Sequence, residues 1–281
     1  MAKQPTWERK YLTLEDFLAV MNGKEKELRK IKSEANNSGS SFSGTENIGE
    51  AINLARFGWK EGADRVRDIA DELAVNLESH IIKQASFYDV EGADINIGRY
   101  LKGEPDCMVN YKKAERTGSP IISISVNCSI SACTGKERIE ARGAAISALI
   151  DLLETSGARV ELWVGSLTEG KGSGYTYAQR VCIKQADDML DIDRVAFCIS
   201  HPSFLRRLSF AEKDLCSSVA QCIKMGYRGN SGGYGHAVEL VDPNMDLHIK
   251  SDNNEPRPWE DKHDASAWII EQLKFFKCYQ D

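Results

Sequence analysis

The sequence lacks the segments that would place a protein in or across a membrane. It contains no apolar run of about 18 residues, which is the shortest stretch that predicts a membrane-spanning helix. Its first residues, MAKQPTWERKYLTLEDF, carry no apolar core of a secretory signal. We therefore expect a cytoplasmic protein that has no membrane partner.

The eight cysteines lack the spacing of a metal or redox motif. None of them forms a C-x-x-C pair, whereas zinc sites and thiol redox sites need closely spaced ligands. Several lie inside apolar runs, as Cys198 does in RVAFCIS, where a thiol behaves as a small buried hydrophobe. We predict reduced core cysteines.

The chain has no excess of positive charge. Its formal net charge is −6 and its isoelectric point is about 5.5. A protein that works mainly by coating nucleic acid needs a basic face to neutralise phosphates. The composition argues against that class and leaves only a local basic patch open.

Common enzyme motifs are also absent. There is no G-x-S-x-G nucleophile elbow. The glycine-rich segment YRGNSGGYGH, residues 227–236, lacks the spacing of a P-loop or a dinucleotide fingerprint. Its tyrosines and arginine are suited to stacking bases or holding phosphate, but the composition is more typical of a mobile surface loop.

What is present predicts two regions. With 42% apolar residues in 281, the chain is long enough to bury a sizeable core. Residues 1–118 contain helical patterns, with Thr13 and Thr45 as predicted N-caps, and a connector whose strands are expected to pair with the main sheet. Residues 119–281 alternate strands and helices.

This alternation predicts the fold class. The strand IISISVN is followed by a helix with Thr134 as its predicted cap and Gly157 after its end, and then by the strand ARVELWVGSLT. Strand, helix and strand in this order predict a right-handed βαβ unit. YAQRVCIKQ is expected to be a strand at the sheet edge. We predict an α/β protein with a mostly parallel central sheet and helices on both faces, of Rossmann type, plus an N-terminal helical region.

The end of the first of these strands is the principal candidate site. Ligands of open parallel sheets bind beyond the carboxyl ends of the strands, where Asn127, Ser129 and Ser131 are expected to direct three oxygens to one point. Hard cations such as Mg²⁺ prefer oxygen ligands. Two alternatives stay open, namely a polar turn that caps the next helix and an anion at that helix N-terminus.

The N-x-S-x-S motif and the order of elements resemble the von Willebrand factor A domain over roughly residues 119–281. That family carries D-x-S-x-S at the end of its first strand and supports a metal-ion-dependent adhesion site. The resemblance implies a weakly held Mg²⁺, because Asn127 replaces the acidic ligand. It also implies further ligands at strand ends, for which Thr168 and Asp252 are the candidates.

Most of the chain also resembles an uncharacterised group of bacterial and phage proteins. The resemblance implies a shared architecture and a mobile-element origin, and it implies no activity. It rests on a "GT…EA…LA..GW.EG" segment and an "HP…LRRL" segment, here Gly44, Thr45, Glu50, Ala51, Leu54, Ala55, Gly58, Trp59, Glu61, Gly62, His201, Pro202, Leu205, Arg206, Arg207 and Leu208.

His201 next to Pro202 marks a break in a predicted helix, because proline disfavours a helical residue before it. With Arg206 and Arg207 nearby, His201 has the composition of an acid or base beside an anion clamp. The alternative is a hydrogen-bonded histidine at a kink, with both arginines exposed. We prefer the alternative.

The preferred function is a non-enzymatic protein-interaction module that binds a protein partner through the loops at the strand ends. The first alternative is an RNA- or DNA-binding protein. Its basic patch would comprise Lys112, Lys113, Arg116, Arg206, Arg207 and Arg228. The second alternative is a metal-dependent hydrolase that draws carboxylates from separated loops. The partner and the oligomeric state are left open.

Overall fold

The architecture is taken from a computed structural model of the chain. The structure describes residues 5–31, 33–64, 67–68, 71, 86–92, 94–111, 120–131, 133–170, 173–218, 233–239, 242, 244–251 and 262–276.

A mixed, mostly parallel sheet forms the centre of the protein, as predicted. Its strands are β1 Trp7–Tyr11, β5 Ile121–Asn127, β6 Arg159–Glu169, β7 Thr176–Lys184, β8 His236–Ala237 and β9 Leu247–Ile249. The strand order is β1-β7-β6-β5-β9, and β8 pairs with β6 outside this order. The pairs β1/β7, β5/β6 and β5/β9 are parallel, and β6/β7 and β6/β8 are antiparallel.

β5 lies inside the sheet, between β6 and β9. Such a strand is covered on both faces, and β5 is buried from Ile124 to Asn127 even though apolar and polar residues alternate there. The parallel pairing of β5 and β6 across one helix confirms the predicted βαβ connection. The edge position predicted for YAQRVCIKQ is wrong, because β1 pairs with β7 on its outer side. The pairing was not foreseen because β1 has only five residues and lies about 170 residues earlier in the chain.

The helices of the described chain surround this sheet. In the N-terminal half they are α1 Leu14–Ala19, α2 Glu25–Lys30, α3 Glu34–Asn37, α4 Ser40–Ser43, α5 Ile48–Phe57 and α6 Ile97–Leu101. The second half contains α7 Lys136–Thr155, α8 Ile192–Ser200, a π-helix Phe204–Ser209, α9 Phe210–Cys216 and α10 Lys262–Phe275. The predicted break at His201 is confirmed, because α8 ends at Ser200.

Helix caps were predicted with mixed success. Thr13 accepts a hydrogen bond from the Asp16 amide and caps α1, as expected. Thr45 does not cap α5, because Asn47 accepts from the Glu50 amide there. Thr134 does not cap α7, which begins after Gly135 with no side-chain cap. Thr45 has instead a partner far away in the sequence, Arg207.

The N-terminal region shares its apolar core with the sheet. Phe17 of α1 stacks in tilted geometry on Phe204 of the π-helix at 5.7 Å between ring centroids, and one continuous cluster contains Phe17, Ile48 and Ile124. β1 also comes from this region. Residues 1–118 thus contribute both to the central sheet and to its core.

A second sheet lies in the connector. It contains β2 Ser86–Asp89, β3 Asp94–Ile95 and β4 Met108–Tyr111 in the order β2-β4-β3. The expectation that these strands pair with the main sheet is wrong, since they pair antiparallel with one another. Of the helical pattern that residues 61–81 form in the sequence, most lies outside the described residues.

Two further expectations concern cysteines and membrane spans. The six cysteines in the described part of the chain are free, and Cys128, Cys182 and Cys198 are buried; Cys222 and Cys278 lie outside it. Among the described residues, no helix combines the length and the apolar character that crossing a bilayer requires.

Candidate functional site

Asn127 ends β5 in a fully buried position and uses its side chain for backbone contacts. Its Nδ2 donates to the Val238 carbonyl at 3.0 Å, and its Oδ1 accepts from the Ser129 amide at 3.0 Å. Its own carbonyl accepts from Arg142 Nη2 at 3.0 Å. The asparagine therefore fixes the loop after β5. The helix cap expected from a polar turn is not seen, because α7 begins after Gly135 with no side-chain cap.

The two serines of the motif turn to different surroundings. Ser129 is buried, and its hydroxyl lies 3.5 Å from the Leu167 carbonyl, which places it against β6. Ser131 is half-buried and its Oγ accepts from the Cys133 amide at 3.3 Å. The expected convergence of three oxygens on one point is therefore not seen: Ser129 lies beside Thr168 in one pocket, and Ser131 is not part of its lining.

This pocket has a volume of about 230 Å³ and lies beyond the carboxyl end of β5. Its described walls are mainly aromatic and aliphatic, with two aliphatic hydroxyl groups, one phenol and one guanidinium. Its lining is Phe42, Ser129, Ile130, Thr168, Leu205, Arg206, Phe210, Gly233, Tyr234, Gly235 and Ala237. We call it the strand-end pocket.

One wall of the strand-end pocket is a stacked aromatic pair. The rings of Phe210 and Tyr234 lie nearly parallel, with centroids 3.8 Å apart. The Tyr234 hydroxyl donates to Asp214 Oδ2 at 2.6 Å, which fixes the ring. Gly235 has φ of +89°, and an added Cβ would come within 2.4 Å of the Glu169 carbonyl oxygen. Glycine thus lets this segment approach β6 closely enough to close the pocket.

Arg206 is the cation of the pocket. Its Nη1 donates to the Phe42 carbonyl at 2.7 Å, and its Nη2 donates to the carbonyls of Ser131 and Thr134 at 3.1 and 3.4 Å. The guanidinium also stacks over the Phe42 ring at 4.3 Å. Burial lowers its pKa, and no charged neighbour counteracts that effect. Among the described residues, no carboxylate pairs with it.

Arg207 is also buried, and its guanidinium makes four hydrogen bonds within the protein. Its guanidinium donates to Thr45 Oγ1 and to the carbonyls of Ala35, Ser38 and Thr45. Burial is the main effect on its pKa and lowers it, whereas the charges of Glu50 and Glu46 raise it. The expectation that Arg206 and Arg207 are exposed is wrong, because both have hydrogen-bond acceptors inside the fold.

The predicted basic patch is not assembled by the described chain. Arg206 and Arg207 are 6% and 0% exposed, so neither presents a charge on an open surface. Lys112, Lys113, Arg116 and Arg228 lie outside the described residues.

The described residues of the implied metal site do not converge on one point as cation ligands would. The side-chain N and O atoms of Asn127 have backbone partners, and none of the described residues that line the strand-end pocket is a carboxylate. The described residues contain no group of three or more histidine, cysteine, aspartate or glutamate side chains able to hold a metal. Asp252 lies outside the described residues. Magnesium binding stays a prediction.

The sequence did not point to Arg142, whose side chain contacts the last residue of β5, just before the loop. Its Nη2 joins the carbonyl of Asn127 in β5 to that of Lys250 after β9, at 3.0 and 2.8 Å. The residue is 1% exposed in the middle of α7. The signal was present, because a charge on the apolar side of a buried helix needs a partner inside the protein.

A buried polar cluster lies next to the pocket on α9. Glu212 accepts from Tyr11, Tyr177 and Gln179, with donor–acceptor distances of 2.7, 2.9 and 2.6 Å. Burial raises its pKa despite these donors. Its neighbour Lys213 is fully buried, and desolvation lowers its pKa to about 8. The Nζ of Lys213 has no hydrogen-bond partner among the described residues.

His201 lies at the helix break, as predicted, between aromatic rings. Its ring stacks on Phe197 and meets Trp59 edge-on, with centroid distances of 5.1 and 4.6 Å. Nδ1 accepts from the Ser203 amide at 3.1 Å. Burial, and to a lesser degree Lys136, lowers its pKa to about 4. His201 is therefore neutral at pH 7 and holds the start of the next helical segment.

Comparison with known proteins gives one match. A family model described as "Domain of unknown function (DUF7192)" matches residues 2–278. No curated protein and no solved structure matches the chain. The resemblance to the von Willebrand factor A domain therefore stays a prediction.

Proposed function

The chain belongs to the DUF7192 family, and we propose that it is a non-enzymatic protein-interaction module whose strand-end pocket receives one anchoring residue of a protein partner. The observation that carries the proposal is the pocket itself. It combines an aromatic wall with a few polar groups at the edge of an α/β sheet where ligands commonly bind.

The size of the pocket supports an anchoring residue over a cofactor. Sites for drug-sized ligands and cofactors are on the order of 300–1,000 Å³, and this pocket holds about 230 Å³. Binding energy at protein interfaces is concentrated in a few side chains that fill such pockets. One large residue is therefore the best-fitting occupant.

The chemistry of the lining favours binding over catalysis. An acid–base or nucleophilic mechanism needs a titratable group within hydrogen-bond reach of its substrate. Among the described residues of the lining, the titratable groups are Arg206 and the Tyr234 phenol, which donates to Asp214. A guanidinium stays protonated at neutral pH and cannot act as a general base. A hydrolase is therefore the weaker candidate.

The test is site-specific photocrosslinking in the native host. Phe42, which lines the pocket, is replaced by benzoylphenylalanine, which keeps an aromatic ring there. The control carries the same crosslinker at Met189, which is 93% exposed. Met189 follows β7, which ends beside the start of β6, and β6 starts beside the start of β5, so Met189 lies toward the opposite end of the strands from the pocket.

We expect one discrete protein adduct from position 42 that position 189 does not give. Ala237→Trp, which fills the pocket, should reduce the adduct at least about tenfold, and Met189→Trp should not. Equal adducts from both positions, or an adduct that Ala237→Trp leaves unchanged, would overturn the proposal. Melting curves confirm that each variant is folded.

A further inference from the structure

The strand-end pocket contains a buried positive charge that the described protein does not neutralise. Arg206 is 6% exposed, lines the pocket and has no carboxylate partner among the described residues. Arg207, the next residue, is also buried, and two glutamates act on its charge. The contrast sets Arg206 apart from a purely structural arginine.

A buried, unpaired charge is costly, and proteins normally pair it. The cost at Arg206 falls when an anion enters the pocket. The three hydrogen bonds of Arg206 to carbonyls hold its guanidinium in place. They use three of its five N–H groups, so two remain for a ligand among the described contacts. The site therefore holds a donor that is already oriented.

The charge and the shape of the pocket limit the anion. One cation lines the described pocket, which matches a singly charged carboxylate better than a phosphate dianion. Ser129 and Thr168 carry hydroxyl groups and line the pocket where β5 and β6 end. The aromatic rings of Phe42, Phe210 and Tyr234 favour a ligand that also has an apolar group.

A single residue type of a protein supplies both chemistries. The C-terminal residue of a chain carries an α-carboxylate and, when it is large and apolar, a side chain that fills an aromatic pocket. An internal aspartate or glutamate has the carboxylate but only a short apolar stem. Capture of a terminal carboxylate is also a known mode of peptide recognition.

Resting on the proposed function, we propose that the strand-end pocket recognises the C-terminal residue of the partner, with its carboxylate against Arg206 and its apolar side chain against Phe210 and Tyr234. The carboxylate provides the counter-charge that the pocket lacks. The apolar side chain provides the buried area that gives affinity.

The proposal is tested with the full chain and synthetic peptides in a titration by calorimetry. The first probe is Gly-Ser-Gly-Ser-Phe with a free carboxylate, and the second is the same peptide as its C-terminal amide. A third probe has an internal glutamate and blocked ends. We expect the free acid to bind at least about tenfold more tightly than the other two, because only it combines charge and apolar bulk in one residue.

Two variants locate the interaction. Arg206→Gln should make the acid and the amide bind alike. Because Arg206 also holds three carbonyls of the fold, Thr168→Val provides a second variant of nearly unchanged shape. We expect Thr168→Val to weaken binding of the acid severalfold and to leave the amide unchanged. Arg29→Gln, at an exposed position, is the control that changes net charge alone.

Three results would overturn the proposal: equal affinity of acid and amide, tightest binding of the internal glutamate peptide, or no binding by any probe. These outcomes are separable from failure of the proposed function. A pocket-dependent protein adduct, together with equal affinities of the acid and amide peptides, would overturn only the proposal that the pocket recognises a terminal carboxylate. Selective binding of the acid without any protein adduct sinks only the interaction role.

Discussion

Arg207 Nε donates a hydrogen bond to Thr45 Oγ1 at 2.8 Å across 162 positions of the chain. The same guanidinium donates to the carbonyls of Ala35 and Ser38. One buried side chain thus holds the N-terminal helices α3 to α5 against the π-helix that also carries Arg206. The position of the strand-end pocket depends on this contact, because Phe42 and Arg206 come from its two sides.

Arg207→Ala should therefore lower the free energy of unfolding by about 3 kcal/mol or more, since it leaves several buried acceptors without a donor. Urea denaturation, monitored by circular dichroism, measures the change in the free energy of unfolding. Arg29→Ala, at an exposed position, should stay within about 0.5 kcal/mol of the parent. Similar losses in the two variants would show that the Arg207 contacts contribute little.

Lys213→Met should raise stability at pH 7. The Nζ of Lys213 is fully buried, and the described residues offer it no hydrogen-bond partner, so a methionine of similar shape removes a desolvation cost of about 1–4 kcal/mol. The folded pKa of about 8 lies below the ordinary value of 10.5. The parent should therefore gain stability as pH rises from 8 to 10.5, because the unfolded chain binds more protons there.

The variant should lose this slope, which melting temperatures at pH 7, 8.5 and 10 measure. An unchanged slope in Lys213→Met, or a less stable variant at pH 7, would contradict a buried ammonium at this position. Lys102→Met, at an exposed position, serves as the matched control.

His201 should make the protein less stable as pH falls from about 6.5 to 4. Its folded pKa of about 4 lies below the ordinary value of 6.5, so the unfolded state binds the extra proton in that range. The loss amounts to about 3 kcal/mol across the window. His201→Asn keeps an acceptor for the Ser203 amide and should flatten the profile, as measured by urea midpoints. The same pH slope in His201→Asn would disprove the assignment.

Asn127→Asp distinguishes a structural turn from a cation site. The substitution replaces the donor to the Val238 carbonyl by an acceptor, so we expect a loss of about 2 kcal/mol that MgCl₂ does not reverse. Asn22→Asp, at an exposed position, controls for added charge. A magnesium-dependent rise in the melting temperature of Asn127→Asp alone would favour the cation site instead.

Gly143→Ala tests the close packing of α7 on α8. Alanine normally favours a helix over glycine by about 1 kcal/mol, but here the new Cβ would lie 2.5 Å from Ser200 Cβ. We expect a net loss of about 2 kcal/mol, measured by thermal unfolding. Adding Ser200→Gly should recover part of the loss, whereas Gly98→Ala, with ordinary space around it, should not destabilise. Absence of rescue would place the strain elsewhere.

Local sequence patterns predicted the elements around β5 because their causes are local. Seven mostly apolar residues predicted the inner strand, the periodic pattern before Gly157 predicted α7, and Pro202 predicted the break after α8. The α/β class with a mostly parallel sheet followed from the order of these elements. Thr13 was predicted correctly as a cap for the same reason, since its partner is three residues away.

The tertiary structure decided what depends on distant parts of the chain. The sequence determined that a polar loop follows the carboxyl end of β5, but it did not determine which groups meet there. Thr45 has the residue type of a cap, yet Arg207 holds it. Asn127 has the residue type of a ligand, yet the carbonyl of Val238 and the amide of Ser129 occupy its side chain. The sequence sets the chemistry of a side chain, whereas packing between segments more than a hundred residues apart decides partners such as Arg207 for Thr45 and the Val238 carbonyl for Asn127.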